Sequence, residues 1–187
     1  MQSFTISVRS LSNDRVVIVV LLLTSLLSAF LFKSSMLIGW DPVQFALALE
    51  HYNIALHQPH PPGYILWVVT LKLLSPFLGV NVASILLNVI FEWLTAYIMY
   101  YMLHKIFKVK RTLSLTVTLS WLMNPMTLYY RATAENYASG TFFAIAILYF
   151  TLSFLKDSIY WKIIIASFLL GFSGGFRIEI PLFLPPL

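Results

Sequence analysis

Charge in this chain is confined to the edges of long apolar stretches, and that pattern leaves it few folds. Continuous apolar runs occupy 16–32, 64–80, 82–103, 112–130, 138–155 and 159–176, and a further one ends with the sequence at Leu187. A helix needs roughly 20 such residues to cross a bilayer. Charged residues make up only 10% of the chain and hydrophobic ones 59%, against about 25% charged in soluble domains. The expected fold is therefore all-α, a polytopic transmembrane helix bundle forming one domain over 1–187. The formal charge of +5 does not point to nucleic acid, because the basic residues sit at the ends of apolar runs and not on a polar face. There is no Cys, which excludes a disulfide framework, a thiolate nucleophile and Cys-ligated zinc.

The polar chemistry concentrates in 41–64, DPVQFALALEHYNIALHQPHPPGY. Asp41-Pro42 with Gln44 three residues later reads as a helix start: a side-chain cap, proline in the first helical position and a capping-box partner. Phe45, Leu49, Tyr52 and Leu56 then recur at helical spacing, so 42–56 is expected to be an amphipathic helix lying along the membrane interface. Consecutive prolines in 58–63 end it in a stiff elbow.

Orientation follows from the basic residues. The run 16–32 is longer than the roughly 7–15 residue core of a signal peptide and lacks a small-residue cleavage site, so it reads as an uncleaved first span. If 64–80 also spanned, Lys105, Lys108, Lys110, Arg111, Lys156 and Lys162 would lie outside, against the positive-inside rule. If 64–76 is a second interfacial or re-entrant helix, those residues join Arg9 and Arg15 in the cytoplasm, and only Lys33, Lys72, Arg131 and Arg177 do not. The expected spans are then about 16–32, 82–103, 112–130, 138–155 and 159–176, with a partial one at 178–187. The N-terminus is cytoplasmic in a multi-pass protein of the cell membrane, or of the endoplasmic reticulum in a eukaryote. Asp41, Glu50, His51, His57, His60, Arg131, Glu135 and Arg177 share the extracytoplasmic face.

Each candidate has a plain and a chemical reading. Asp41 is an N-cap, a general base facing water, or both, since a helix dipole keeps a capping carboxylate ionised. His60 is an interfacial side chain or a donor to phosphate. Glu135 forms an ion pair with Arg131 four residues earlier, or serves as a second acid. Arg177, following the glycines of 171–175, either snorkels to headgroups or holds a lipid phosphate. Glu92, deep in a span, is a polar contact between helices with Asn88 and Thr95 nearby, or lines a pathway. His51, His57 and His60 lack the His-x-x-x-His spacing of helix-borne zinc sites, so no His-ligated metal is expected.

Four motifs in order carry a resemblance: Asp41 in GWDPVQFALAL soon after the first span, HPPGY (60–64), AENY (134–137) and GGFR (174–177) before LFLPPL. Together they resemble the N-terminal part of a GT-C membrane glycosyltransferase, of the protein O-mannosyltransferase and aminoarabinose-transferase branch. Members of that family are generally longer. The resemblance implies a GT-C-like bundle with interfacial helices in the first outer loop. It also implies inverting transfer of a sugar from a polyprenyl-phosphate donor to a protein, lipid or glycan acceptor. Asp41 maps onto the catalytic acid of the first loop, whereas His60, Tyr64, Arg131, Glu135 and Arg177 map onto substrate and donor binding. No divalent metal or other cofactor is implied. The alternatives are a non-catalytic membrane subunit, a transporter-like protein whose pathway includes Glu92, and an inactive truncated remnant of the family.

Overall fold

The computed structural model describes residues 8–183, with side chains over 15–182. Among these residues there is no strand, only an isolated antiparallel bridge between Asn53 and Gln58. The helices are α1 (Val8–Phe32), α2 (Trp40–Glu50), α3 (Ile65–Leu78), α4 (Val80–Tyr101), α5 (Arg111–Leu122), α6 (Pro125–Ala132), α7 (Tyr137–Asp157), α8 (Tyr160–Ser173) and the short α9 (Glu179–Phe183). A π-helical turn, Met102–Ile106, prolongs α4. Among the described residues, three helices are long and apolar enough to cross a membrane: Arg15–Phe32, Val80–Ile106 and Tyr137–Asp157. They fit a membrane protein.

Other boundaries depart from the sequence pattern. The apolar stretch 112–130 is not one helix: α5 stops at Leu122 and α6 starts at Pro125. Pro125 has no N–H to continue the ladder and pushes the residue before it out of the helical region. Asn124 accordingly takes an extended conformation and its side chain accepts from Met126 N–H, starting a new helix. The run expected as a span at 159–176 contains a helix of only 14 residues, ending at Ser173 in the turn that carries Gly174 and Gly175. Of the partial span at 178–187, only α9 is described, and 184–187 lie outside the described residues.

The segment after α1 also differs. Gly39 (φ 103°), not Asp41, precedes the first helical residue, and no side chain caps α2. The capping box is thus absent, and Gln44 instead accepts from His60 N–H at 3.2 Å. Nor does the helix run over 42–56. It ends at Glu50, and a single 3₁₀ turn, Ile54–Leu56, follows, started by the side chain of Asn53. Phe45 and Leu49 of the expected stripe turn toward the protein core, while Tyr52 and Leu56 stay exposed.

Among the described residues α4 threads three apolar clusters, a small one of Ala29, Ile85 and Val89 and two larger ones. Of the larger two, one gathers Phe45, Trp67, Leu71, Ala83, Leu87, Phe143 and Phe176, the other Val17, Leu21, Ala96, Tyr100 and Leu122. Glu92 lies between these two along α4. α3 is tied to one end of the bundle at both of its own ends. Its first turn donates from Leu66 and Trp67 N–H to Gly175 O, beyond α8, and through Gly79 it leads straight into α4, where Asn81 bonds Ser34 O just after α1. Gly175 allows this docking because a Cβ there would fall 2.4 Å from Leu66 Cγ. The opposite end collects Lys105 and Lys156, whose ammonium group reaches Lys105 O.

Candidate functional site

The end of the bundle that holds α3 also holds most of the candidate residues. Asp41 stands in the first turn of α2. The elbow 58–64 folds back on that helix through the bond from His60 N–H to Gln44, and Tyr52 Oη donates to Gly63 O. His60 is thereby set between three groups. Its Nε2 is 3.8 Å from Asp41 Oδ1 and 3.2 Å from Tyr64 Oη, and its ring stacks obliquely on Phe45 at 5.9 Å. Burial pushes the Tyr64 phenol up from its ordinary value.

Glu135 enters from the link between α6 and α7. Its Oε1 lies where a Cβ on Gly39 would come within 2.8 Å, so the two residues adjoin, and the φ of 103° is what requires glycine there. Oε2 is buried with no hydrogen-bond partner. Desolvation first, and then the negative charge of Asp41, push the Glu135 carboxyl up to about 7, with Arg177 acting in the opposite direction. Two carboxyl groups thus share one cleft, and the more buried one resists giving up its proton.

Arg177 completes the group. Its Nη1 donates to Asn136 Oδ1 at 2.6 Å and its Nη2 to Glu179 Oε1 at 2.8 Å, and the guanidinium lies 4.0 Å over the Tyr137 ring. Asn136 is fully buried and donates in turn to Phe176 O. Gly140, one turn into α7, leaves room for the stem, since a Cβ there would meet Arg177 Cδ at 2.9 Å. Asp41, His60, Tyr64, Glu135 and Arg177 therefore converge, although they are separated by up to 136 positions in sequence (177 − 41).

Arg131 does not join them. The expected ion pair with Glu135 is absent: Arg131 is fully buried in the bundle, with Nε 2.5 Å from Glu92 Oε2, Nη1 on Ser28 Oγ and Nη2 on Leu122 O. The break at Asn124-Pro125 is the cause, because it reorients α6 so that its last turn points inward. Glu92 is correspondingly not served by its helical neighbours. Thr95 bonds Phe91 O, and the Asn88 amide reaches the carbonyls of Tyr130, Thr133 and Glu135. Glu50, His51 and His57 stand exposed outside the cleft. Among the described residues no group of three His, Cys, Asp or Glu side chains is placed to hold a metal ion.

Asn136, Tyr137 and Glu179 belong to the site but were not singled out as candidates by sequence. The first two stand inside the AENY motif; Glu179, two positions beyond Arg177, has no spacing signal.

Glu135 gives a pH-dependent expectation. Its folded-state value lies above the ordinary 4.5, so the folded chain holds a proton that the unfolded chain releases. The stabilisation is complete below about 4.5 and is lost as pH rises through about 7. Relative to Glu135→Gln, the wild type should lose up to about 3 kcal/mol across that window. Thermal unfolding of both proteins in micelles from pH 4.5 to 8 measures it, and parallel curves would rule out the raised value.

Compared with known protein families, with curated proteins and with solved structures, the chain matches none.

Proposed function

We propose that the chain is a GT-C-like membrane glycosyltransferase, or the N-terminal part of one, which moves a sugar from a polyprenyl-phosphate donor to an acceptor hydroxyl or amine on the extracytoplasmic face. The observation that carries this reading is the convergence of Asp41, His60, Tyr64, Glu135 and Arg177 at one end of a helical membrane bundle. These residues come from all four motifs of the resemblance. The bundle end opposite to them carries Lys105 and Lys156, as the positive-inside pattern requires of a cytoplasmic side.

In this reading Asp41, partly open to solvent beside His60, takes the proton of the acceptor. The acceptor oxygen or nitrogen forms its bond to the anomeric carbon as the bond from that carbon to the phosphate oxygen breaks. The electron pair leaves with the polyprenyl phosphate. A single displacement from the opposite face inverts the anomeric centre. Arg177, with His60 across the cleft, meets the charge developing on the phosphate, the larger electrostatic contribution in reactions of this kind. Glu135, its carboxyl pushed up to about 7, is suited to hydrogen-bond a sugar or acceptor hydroxyl. Apolar surface between helices receives the lipid tail. One such cleft, lined by Phe32, Ile38, Pro125, Leu128 and Tyr129, holds about 440 Å³.

Membranes carrying the chain and supplied with radiolabelled sugar on polyprenyl monophosphate test the reading. Binding that disappears in Arg177→Met is the expected outcome, with labelled acceptor formed when one is supplied. Equal binding by Arg177→Met and wild type would remove it.

A further inference from the structure

The Arg177 guanidinium already has an anion, and the way it is held differs from its other contacts. Asn136 is fully buried and fixed at its other end by Phe176 O, so it stays with Arg177. Tyr137 covers one guanidinium face. Glu179 is different: its side chain is 40% exposed where that of Arg177 is 11% exposed. Only Oε1 is bonded, while Oε2 is buried without a partner. A carboxylate offers about four lone-pair sites, so this one is poorly satisfied and easily exchanged. His60 lies within electrostatic reach of the same carboxylate.

We propose that Glu179 occupies the phosphate position of this cleft, and that a phosphate monoester binds Arg177 by displacing it. The inference rests on the transfer reading above: the donor's phosphate, esterified to both sugar and lipid, is a monoanion, and the polyprenyl phosphate that leaves is the monoester for which Glu179 makes way, so Glu179 sets the affinity of the leaving-group state. A phosphate monoester brings more negative charge than a carboxylate and three acceptor oxygens. It can therefore engage Arg177 and His60 together, while a monoanion gains too little to evict Glu179. The exposed carboxylate moves out to water, and Asn136 and Tyr137 keep the guanidinium in place.

The test is phosphate binding by the full chain in nanodiscs, with inorganic phosphate and polyprenyl monophosphate measured in parallel. Glu179→Gln keeps the shape and removes the competing charge, and it should tighten binding of both ligands by about tenfold, the worth of one charge-assisted hydrogen bond. Glu179→Asp, which keeps the charge and draws it back, should fall between wild type and Glu179→Gln, and carries the decision if the Gln variant does not fold. Adding Arg177→Met should erase the gain. Tightening for inorganic phosphate alone would support the displacement and remove the lipid phosphate as its occupant. If binding of both ligands is unchanged or weaker in folded variants, the inference is overturned; Arg177-dependent binding of the lipid phosphate would then leave the donor reading standing.

Discussion

Replacing Arg131 by leucine should destabilise the folded chain by about 3–5 kcal/mol, whereas adding Glu92→Leu should recover most of that loss. Both side chains are shut away from solvent, at 0% and 3% exposure. Removing one charge strands the other in a low-dielectric interior, and removing both leaves an apolar contact between the two larger clusters that α4 already joins. Recovery should be incomplete, because Arg131 also satisfies Leu122 O at the end of α5 and Ser28 Oγ on α1. Those two acceptors lose their donor in the double variant. Denaturation in mixed micelles reads the three proteins side by side. A double variant no more stable than either single one would mean that the pair stabilises by shape or by its hydrogen bonds, and not by mutual neutralisation.

Asp41→Asn should lower sugar transfer by about 10²–10⁴-fold, the usual contribution of a positioned base, with little effect on unfolding. The structure separates the two roles that the sequence left open for this residue. Asp41 caps no helix end, and its Oδ1 lies 3.8 Å from His60 Nε2. Asparagine matches aspartate as an N-cap, so a capping role would survive the change and a proton-accepting one would not. The measurement is turnover of a polyprenyl-phosphate sugar by purified protein, with unfolding temperature recorded on the same preparation. Wild-type turnover would take Asp41 out of the chemistry, and a collapse of stability would make it structural.

The long helices were legible because the bilayer imposes a length that composition alone reveals: α4 and α7 fall within a few residues of 82–103 and 138–155, and α1 contains 16–32 but starts eight residues earlier, at Val8. The grouping of Asp41, His60, Glu135 and Arg177 was legible through charge, since only one placement of 64–76 put most of the basic residues on one side and these four on the other. Arg131 was assigned to the wrong partner because the four-residue spacing to Glu135 reads as one helix face. That inference holds only if 112–130 is a single straight helix. The signal against it, Asn124 before Pro125, was present in the sequence but submerged in an apolar run. The start of α2 was misplaced for a related reason. Asp41-Pro42 has the form of a cap, but the backbone is turned two residues earlier, at Gly39, which lies beside Glu135. A contact between residues so far apart in the chain leaves no trace in local spacing. Glu179 escaped for the same reason: its significance depends on where Arg177 points.

The grip of Asn88 on the link between α6 and α7 has a consequence for how such a chain can diverge. One amide nitrogen on α4 gathers three carbonyls, at 3.0, 3.0 and 2.6 Å, and four residues, 133–136, cover the distance between the two helices. The link has no slack. An added or deleted residue there would pull the carbonyls off the amide and swing Glu135 and Asn136 away from Asp41 and Arg177 together. The segment 51–58, exposed over most of its length, can take up such a change at its surface. Length drift is thus expected to accumulate on one side of the cleft and to be refused on the other.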